Sequence, residues 1–400
     1  MIVQYFFSSP EGDISVVPDE LAKPFKMAPS IDHPFLTLGD YFKAIEEFLL
    51  RDQEQSLVAL LEDHLGRRIH LDQLGKLLIR SEKHGALYHF ATIEIFIDKQ
   101  RIKYALNTAV SERGQAWLNH EYPLLGYLGE SFNLPYLPRV YLKGELEHPV
   151  SSGKACLSIV LAEWFEDYHE WHHSMVPTPT LPSPYEGEGM GGGGESERSR
   201  IRIWDQRCGH RFATEEESFE IYKQASKILT LYYDTQSFRQ IYPWHHAAGD
   251  FVVRIRDAKI DVRLCTARGY DPFMGFVEEE DINPLVALIY FFLNLTIKMR
   301  LDKLDGLGEA IWAGSYSIQA ALEGFFEALH TMDSEGRYDL GKVEDLLSIL
   351  KSFTHEEVHA LFRPLREAYQ EEEPGDLLVI EKNLGDHTEQ LFRVIQRFRK

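Results

Sequence analysis

Two acidic residues lie in a segment, residues 241–269, whose pattern predicts a loop, two strands and a second loop. Asp250 stands just before an apolar run, residues 251–253, and Asp261 lies beyond a predicted turn at residues 256–259. Carboxylates on adjacent strands can share one divalent cation, and Mg²⁺ prefers oxygen ligands of this kind. The pattern therefore predicts a β-hairpin with a candidate metal site. An Asx turn at Asp250 and a solvated strand position at Asp261 are the alternative.

Histidines occur in and around the same segment. His245 and His246 lie beside Trp244 in the predicted loop, either as packed loop residues or with one of them as a general base, since imidazole titrates near neutral pH. The residues that could be imagined as zinc ligands are His169, His172, His173, Cys208, His210, His245 and His246. Their spacing matches no closed tetrahedral set, so a zinc site and a metal-dependent hydrolase are the weaker hypotheses.

The composition is that of an acidic globular protein. The chain has 400 residues, of which 44% are hydrophobic, and this length suggests two or three compact units. The formal charge of −21 argues against a nucleic-acid partner and against anionic membrane surfaces, because both are bound through clustered Lys and Arg.

The sequence also predicts the compartment. The first residues lack a basic start and a continuous apolar core, so they are not expected to be a signal peptide. The most hydrophobic run, residues 284–297, is about 14 residues long, which is too short to span a bilayer. Cys156, Cys208 and Cys265 lie far apart without CxxC spacing, as is typical of reduced cytosolic thiols. We therefore expect a soluble, cytoplasmic protein.

Hydrophobic periodicity predicts mixed helices and strands before residue 176. Residues 1–35 carry five prolines and little periodicity, so they are predicted to be an irregular arm. The elements predicted after the arm are helices at 38–51 and 55–65, a β-hairpin at 87–97 and 102–106, a helix from about Glu112, and strands at 140–146 and 155–162. Pro123 is expected to end or kink the helix that starts near Glu112. This order predicts a small sheet packed on one helix.

A break in composition divides the chain. Residues 177–200, PTPTLPSPYEGEGMGGGGESERSR, combine prolines, glycines and mixed charges without apolar periodicity, which predicts a disordered linker. Apart from the hairpin, the remainder is predicted to be mainly helical, with helices at 215–233, 284–302, 316–331, 341–352, 355–371 and 386–399. The acidic run at 278–281 is expected to be a solvated helix entry rather than a second metal site.

In the order of its elements the chain resembles the protein-kinase-like fold. A small β-rich part is followed by an edge strand, a connecting segment, and a helical part whose first helix precedes a loop and a hairpin. The resemblance is closest to the aminoglycoside-phosphotransferase branch and covers roughly residues 75–330. It implies an α+β, two-lobed protein with a β-rich N-lobe, a mainly helical C-lobe and an N-terminal helical extension. The implied divisions are an arm and extension at 1–70, the N-lobe and hinge at 71–176, the linker at 177–200, and the C-lobe at 201–400 with its metal-site-like hairpin at 250–261.

The family's metal and base positions fall on the hairpin segment. In this resemblance Asp250 takes the place of a metal-binding Asn that opens a strand, and His245, five residues earlier, takes the place of the base Asp. Asp261 corresponds to the second metal ligand, the Asp of the family's DFG-type triplet. The resemblance thus implies Mg²⁺ at Asp250 and Asp261, with His245 as the base. Arg268 could either contact a phosphate or pair with a nearby acid.

The family's nucleotide positions fall on the predicted N-lobe. Asn107 stands where the phosphate-binding Lys belongs, and Lys103, four residues earlier on the same strand face, is implied as the phosphate contact. Glu121 on the next helix corresponds to the glutamate that orients the lysine. Glu163 and Phe165 lie in the connecting segment, which would either bind adenine or pack between the lobes.

Two functional hypotheses follow. The first is a divergent phosphotransferase-like protein that binds ATP and Mg²⁺ and acts on an unknown small-molecule or protein acceptor. The second is a non-catalytic pseudokinase that acts as an interaction or regulatory protein. It rests on three replacements: Asn107 for the lysine, His245 for the base Asp, and a segment with one glycine, residues 82–87, for the glycine-rich loop. Without a cationic clamp and a base, much of the catalysis of phosphoryl transfer is lost.

Overall fold

The computed structural model of the chain contains two compact units, Met1–Glu166 and Asp167–Lys400. The structure describes residues 1–9, 12–28, 31–51, 55–85, 87–150, 153–176, 199–205, 209–246, 249–273, 283–306, 308–372 and 374–399. The boundary expected near residue 70 lies inside the first unit, because the helices before it share a hydrophobic core with the sheet that follows. The boundary expected near residue 200 lies inside the second unit.

The first unit is built on a seven-stranded sheet. The strands of the unit are β1 (Ile2–Phe7), β2 (Ile14–Ser15), β3 (Pro24–Ala28), β4 (Ile31–Thr37), β5 (Leu74–His84), β6 (His89–Ile97), β7 (Gln100–Ala109), β8 (Val140–Val150) and β9 (Gly153–Glu163). The order across the large sheet is β2-β1-β5-β6-β7-β9-β8, and β3 pairs with β4 separately. The strands predicted between residues 87 and 162 are therefore present, and they form the antiparallel pairs β6–β7 and β8–β9.

The N-terminal arm is more regular than the prediction. Strand β1 lies parallel to β5, with Ile2 opposite Lys76 and Phe7 opposite Ser81. This pairing places the start of the chain inside the sheet, so the expectation of an irregular arm is wrong for β1. Parallel pairing joins segments that are far apart in sequence, and no local periodicity announces it.

The described part of the first unit also contains four helices. They are α1 (Pro18–Leu21), α2 (Leu38–Leu50), α3 (Gln55–Leu65) and α4 (Glu112–Phe132). Helix α2 begins at a capping box in which the side chains of Thr37 and Asp40 each accept a hydrogen bond from the other residue's backbone N–H. Its buried face, which includes Ile45 and Phe48, belongs to the same core as Ile93 of β6.

Helix α4 continues through Pro123, so this proline does not end the helix as expected. Leu118, Leu125 and Leu128 are buried on both sides of it. Their burial stabilises the helix by more than the lost backbone hydrogen bond costs. The helix ends instead at Asn133, which adopts the left-handed conformation with φ 48°.

The described part of the second unit contains a five-stranded sheet and two separate strand pairs. Its strands are β10 (His169–Met175), β11 (Ser199–Ile203), β12 (Arg211–Phe212), β13 (Gln240–Ile241), β14 (Phe251–Arg256), β15 (Lys259–Leu264), β16 (Tyr270–Asp271), β17 (Leu301–Lys303) and β18 (Ala310–Trp312). The order across the main sheet is β12-β11-β10-β14-β15. Residues 177–198 of the predicted linker lie outside the described residues, whereas Ser199 and Arg200 belong to β11.

The hairpin predicted around residues 250–261 is formed by β14 and β15. Its turn consists of Asp257 and Ala258, which both have left-handed backbone conformations, with φ 51° and φ 60°. A two-residue turn of this kind matches the twist of the flanking strands. It sets a register in which Arg254 lies opposite Asp261.

Six helices belong to the described part of the second unit. They are α5 (Glu215–Leu231), α6 (Pro284–Lys298), α7 (Tyr316–Ser334), α8 (Val343–Ser352), α9 (His355–Glu372) and α10 (Pro374–Arg397). Helix α6 ends before its predicted boundary because the residues that follow form β17, and α10 begins twelve residues before its predicted start at 386. Within the described ranges, no helix is long and apolar enough to cross a membrane.

Candidate functional site

Asp250 is the most buried of the predicted site residues, with 1% of its surface exposed. It lies between the loop that contains His245 and the start of β14. The carboxylate accepts the backbone N–H of His245 at 2.8 Å, and Arg268 donates a charged hydrogen bond to its other oxygen. Burial raises the pKa of Asp250, while the Arg268 guanidinium acts in the opposite direction. Arg268 was expected either to contact a phosphate or to pair with a nearby acid, and in the structure it pairs with Asp250.

Asp261 has a different environment on β15. Its carboxylate accepts a hydrogen bond from Tyr168 at 2.6 Å and lies 3.1 Å from the guanidinium of Arg254 and 3.5 Å from that of Arg263. The Arg254 guanidinium also lies over the Tyr168 ring, 4.6 Å from the ring centroid, in a cation–π interaction. Two cations and a phenol therefore surround this carboxylate.

The structure does not bring Asp250 and Asp261 together. The carbonyl of Asp250 accepts the N–H of Cys265, the residue after β15, and Asp261 lies four residues earlier, inside β15. At roughly 3.3 Å per residue this corresponds to about 13 Å, too far for two carboxylates to bind one cation. Among the described residues, no group of three His, Cys, Asp or Glu side chains could hold a metal ion. The acidic run at 278–281 lies outside the described residues.

His245, the predicted base, is held by residues that the sequence did not indicate. Its imidazole Nε2 lies 3.1 Å from Lys298 Nζ and 3.7 Å from an oxygen of Asp376. Lys298, at the end of α6, is only 1% exposed. A lysine directly after the most hydrophobic run, residues 284–297, was a visible signal that could have identified it. Asp376, in the first turn of α10, had no such signal.

The described histidines considered as zinc ligands all lie in the second unit, and no three of them could hold a metal ion. His169 lies 3.6 Å from Asp205, His172 lies 3.9 Å from Glu170, and His210 packs against Trp204. His246 sits in a box of aromatic rings formed by Trp171, Tyr222, Trp244 and Phe251. Cys208 lies outside the described residues. His246 is therefore a packed loop residue, which is one of the two alternatives given for it above.

In the first unit, Lys103 is paired with acidic side chains. Its Nζ lies 3.4 Å from Glu94, directly opposite on β6, and 3.5 Å from Glu166. It also lies 4.9 Å from the centre of the Trp164 ring, and its side chain is only 7% exposed. Glu94 is shared with Arg80, whose Nη1 donates to it at 2.8 Å. The charge of Lys103 is therefore neutralised within this unit.

The remaining nucleotide candidates have ordinary structural contacts. Glu121 is 4% exposed and accepts a hydrogen bond from the Tyr88 hydroxyl at 3.3 Å. Glu163 accepts the backbone N–H of Arg139 at 3.1 Å. Asn107 lies in β7 between its partners in β6 and β9, and its buried side-chain oxygen has no hydrogen-bond partner among the described residues. Phe165 is half-buried in the segment after β9.

Burial changes the acid–base properties of several groups in the second unit. It lowers the pKa of His173 to about 4, and it lowers the pKa values of His246 and His387 well below the usual value of histidine. Burial also raises the pKa of Asp302, which accepts the backbone N–H of His173 at 2.9 Å, to about 6. Acid therefore destabilises the folded protein through these three histidines and stabilises it through Asp302.

We expect the free energy of unfolding to fall by about 3 kcal/mol between about pH 7.5 and pH 5.5. A histidine whose pKa is lower in the folded state contributes stability that is complete above the unfolded pKa of about 6.5 and is lost below it. Each of the three histidines then loses a little over about 1 kcal/mol by pH 5.5. Asp302 offsets about 1 kcal/mol of this loss. Its raised pKa lets the folded protein bind a proton at this carboxyl group near pH 6, where the unfolded chain does not. Urea denaturation at the two pH values measures the difference.

His246→Met is the matched variant for this prediction. The thioether fills a similar volume in the aromatic box and does not titrate. The variant should lose about 1 kcal/mol less than the natural protein over the same pH interval. Equal losses in the two proteins would contradict the role assigned to His246.

No protein-family model matches the sequence, and no curated protein matches it either.

Proposed function

We propose that the chain is a non-catalytic, kinase-like protein that acts through interactions with other molecules. The order of elements supports the kinase-like part of the proposal. Antiparallel strands, a helix and a second strand pair end at the segment after Glu163. The second unit then supplies a helix, a loop with His245 and the β14–β15 hairpin. This is the order on which the resemblance rests.

The ion pair between Arg268 and Asp250 carries the non-catalytic part. A carboxylate that binds Mg²⁺ must offer its oxygens to the cation, whereas this one accepts hydrogen bonds from Arg268 and the His245 backbone. Asp261 is about 13 Å away along the hairpin at the rise of a β-strand and pairs with Arg254. These residues do not fit a bound Mg²⁺, and we derive no reaction step through it.

The nucleotide positions of the first unit support the same proposal. Lys103 is paired with Glu94 and Glu166, so phosphate would have to displace a buried carboxylate to reach it. Asn107 has no charge to offer. A strongly acidic chain, with a formal charge of −21, favours a partner whose surface carries clustered Lys and Arg, because complementary charge accelerates and orients association.

An ATP titration tests the proposal. We expect the melting temperature of the full chain to change by less than about 1 °C in millimolar ATP, with or without Mg²⁺, because a ligand stabilises a protein only when its concentration exceeds its dissociation constant. Differential scanning fluorimetry provides the measurement. GTP and EDTA serve as the nucleotide and metal controls.

A shift that requires Mg²⁺ and disappears in both Asp250→Asn and Asp261→Asn would overturn the proposal in favour of an ATP-binding phosphotransferase-like protein. Single-turnover phosphate release in the natural protein and in His245→Ala would then test the base. Loss of the release in His245→Ala would identify this histidine as the catalytic group.

A further inference from the structure

Strand β15 is an outer strand of the five-stranded sheet, so one of its edges faces away from the other strands. Antiparallel strands turn the backbone groups of alternate residues toward their partner. Cys265 donates its N–H across to the chain just before β14, so Asp261 and Arg263 also face β14. The backbone groups of Ile260 and Val262 therefore point outward. Outward groups of this kind can pair with a strand of another chain.

The side chain of Gln224, in α5, bonds this outward edge. Its Oε1 accepts the N–H of Val262 at 3.0 Å, and its Nε2 donates to the C=O of Ile260 at 2.9 Å. A neighbouring strand would supply the same two partners, an acceptor for the N–H and a donor for the C=O. One side-chain amide therefore takes the place of a strand at two successive outward positions.

The Gln224 amide is fixed in this position. Its Nε2 also donates to the Glu220 carboxylate, one turn earlier in α5, at 2.7 Å. The backbone groups of a helix interior bond within the helix, so the contact with the strand edge depends on the side chain. On the strand, Val262 and Leu264 are fully buried. Without the amide, a well-packed strand would present an unpaired N–H and an unpaired C=O.

The other outer strands of the two large sheets differ from β15. Strands β2 and β12 contain two residues each, and so short an edge offers few groups for pairing. Strand β8 is longer, but it contains Pro149, and Arg51 donates to the C=O of Lys143 at 3.2 Å. Strand β15 has six residues and no proline. Its protection therefore comes from Gln224.

A second copy of the chain has the charge pattern that suits this edge. If two β15 strands meet antiparallel with Val262 opposite Val262, then Ile260 of each strand lies opposite Leu264 of the other. In the same register, Asp261 of each strand lies opposite Arg263 of the other. Opposite charges at directly opposed positions stabilise a strand pair. We infer that Gln224 closes the β15 edge against this pairing and so prevents two copies from joining their sheets.

Gln224→Ala tests the inference. The variant chain should self-associate at least tenfold more tightly than the natural chain, as measured by sedimentation equilibrium at neutral pH. Gln319→Ala is the matched control, because Gln319 also bonds a glutamate one turn away, Glu323, but lies exposed on α7. The control should associate no more tightly than the natural chain.

The double variant Gln224→Ala/Ile260→Pro shows whether the association uses this edge. The N–H of Ile260 points away from β14, so proline removes a group that a second strand would need and leaves the β14–β15 ladder intact. The double variant should lose the gain in association.

Three results would overturn the inference: no gain in Gln224→Ala, an equal gain in Gln319→Ala, or a gain that persists in the double variant. If Gln224→Ala does not fold, Gln224→Met takes its place with the same expected results. Methionine fills a similar volume and forms neither of the two hydrogen bonds to β15.

Discussion

Replacing Arg268 with methionine is expected to lower the free energy of unfolding by about 3–5 kcal/mol. Asp250 is 1% exposed, and the guanidinium of Arg268 is the charged partner of its carboxylate. Without that partner, the folded chain must either bury an uncompensated negative charge or bind a proton. Urea denaturation at neutral pH, followed by tryptophan fluorescence, measures the loss.

The double variant Asp250→Asn/Arg268→Met separates the ion pair from the packing. Asparagine keeps an oxygen that accepts the N–H of His245 and removes the stranded charge. We expect the double variant to recover at least about half of the lost stability, because replacing both members of a buried pair costs far less than removing one. A double variant as unstable as Arg268→Met would show that the charge of Asp250 is not the cause.

Glu94→Gln in the first unit is expected to cost about 3 kcal/mol. The carboxylate of Glu94 lies 2.8 Å from Arg80 and 3.4 Å from Lys103, and both cationic side chains are less than one tenth exposed. Burial raises the pKa of Glu94, but the hydrogen bond and charge of Arg80, with the charge of Lys103, outweigh it and hold this pKa below its usual range. The carboxylate is therefore charged at neutral pH, and neutral glutamine cannot replace it.

Glu166→Gln is the control for this second prediction. Glu166 also lies near Lys103, at 3.5 Å, but its side chain is 41% exposed. Because solvent screens an exposed pair, we expect this variant to lose less than about 1 kcal/mol. Urea denaturation compares the two variants at neutral pH. Equal costs would show that burial of Glu94 does not set the energy of the network.

The α+β class could be predicted from sequence because local periodicity reports it. The alternating apolar residues of β6 and β7 announced a hairpin, and the polar turn at Asp98 announced its position. The same signals identified β14 and β15. Helix ends were less accurate: α4 passes through Pro123 because tertiary packing on both sides holds it, and a propensity rule contains no information about that packing.

The sequence predicted which elements carry the candidate site residues, but not how far apart their side chains lie. Asp250 does stand directly before a strand, and Lys103 and Asn107 do lie in one strand, β7. The sequence contains no measure of how far apart Asp250 and Asp261 lie, because this depends on the register that the turn imposes. A one-dimensional spacing of eleven residues across a turn is compatible with both near and distant carboxylates.

The sequence by itself determined the α+β class of the protein and the hairpin that carries Asp250 and Asp261. Tertiary structure alone decided which charges meet. Arg268 pairs with Asp250, and Asp376 from the first turn of α10 reaches His245 and Lys298. The physical reason is that an ion pair forms between side chains which packing brings within about 4 Å, whatever their separation along the chain. Periodicity acts over a few residues, so it predicts elements but not these partners.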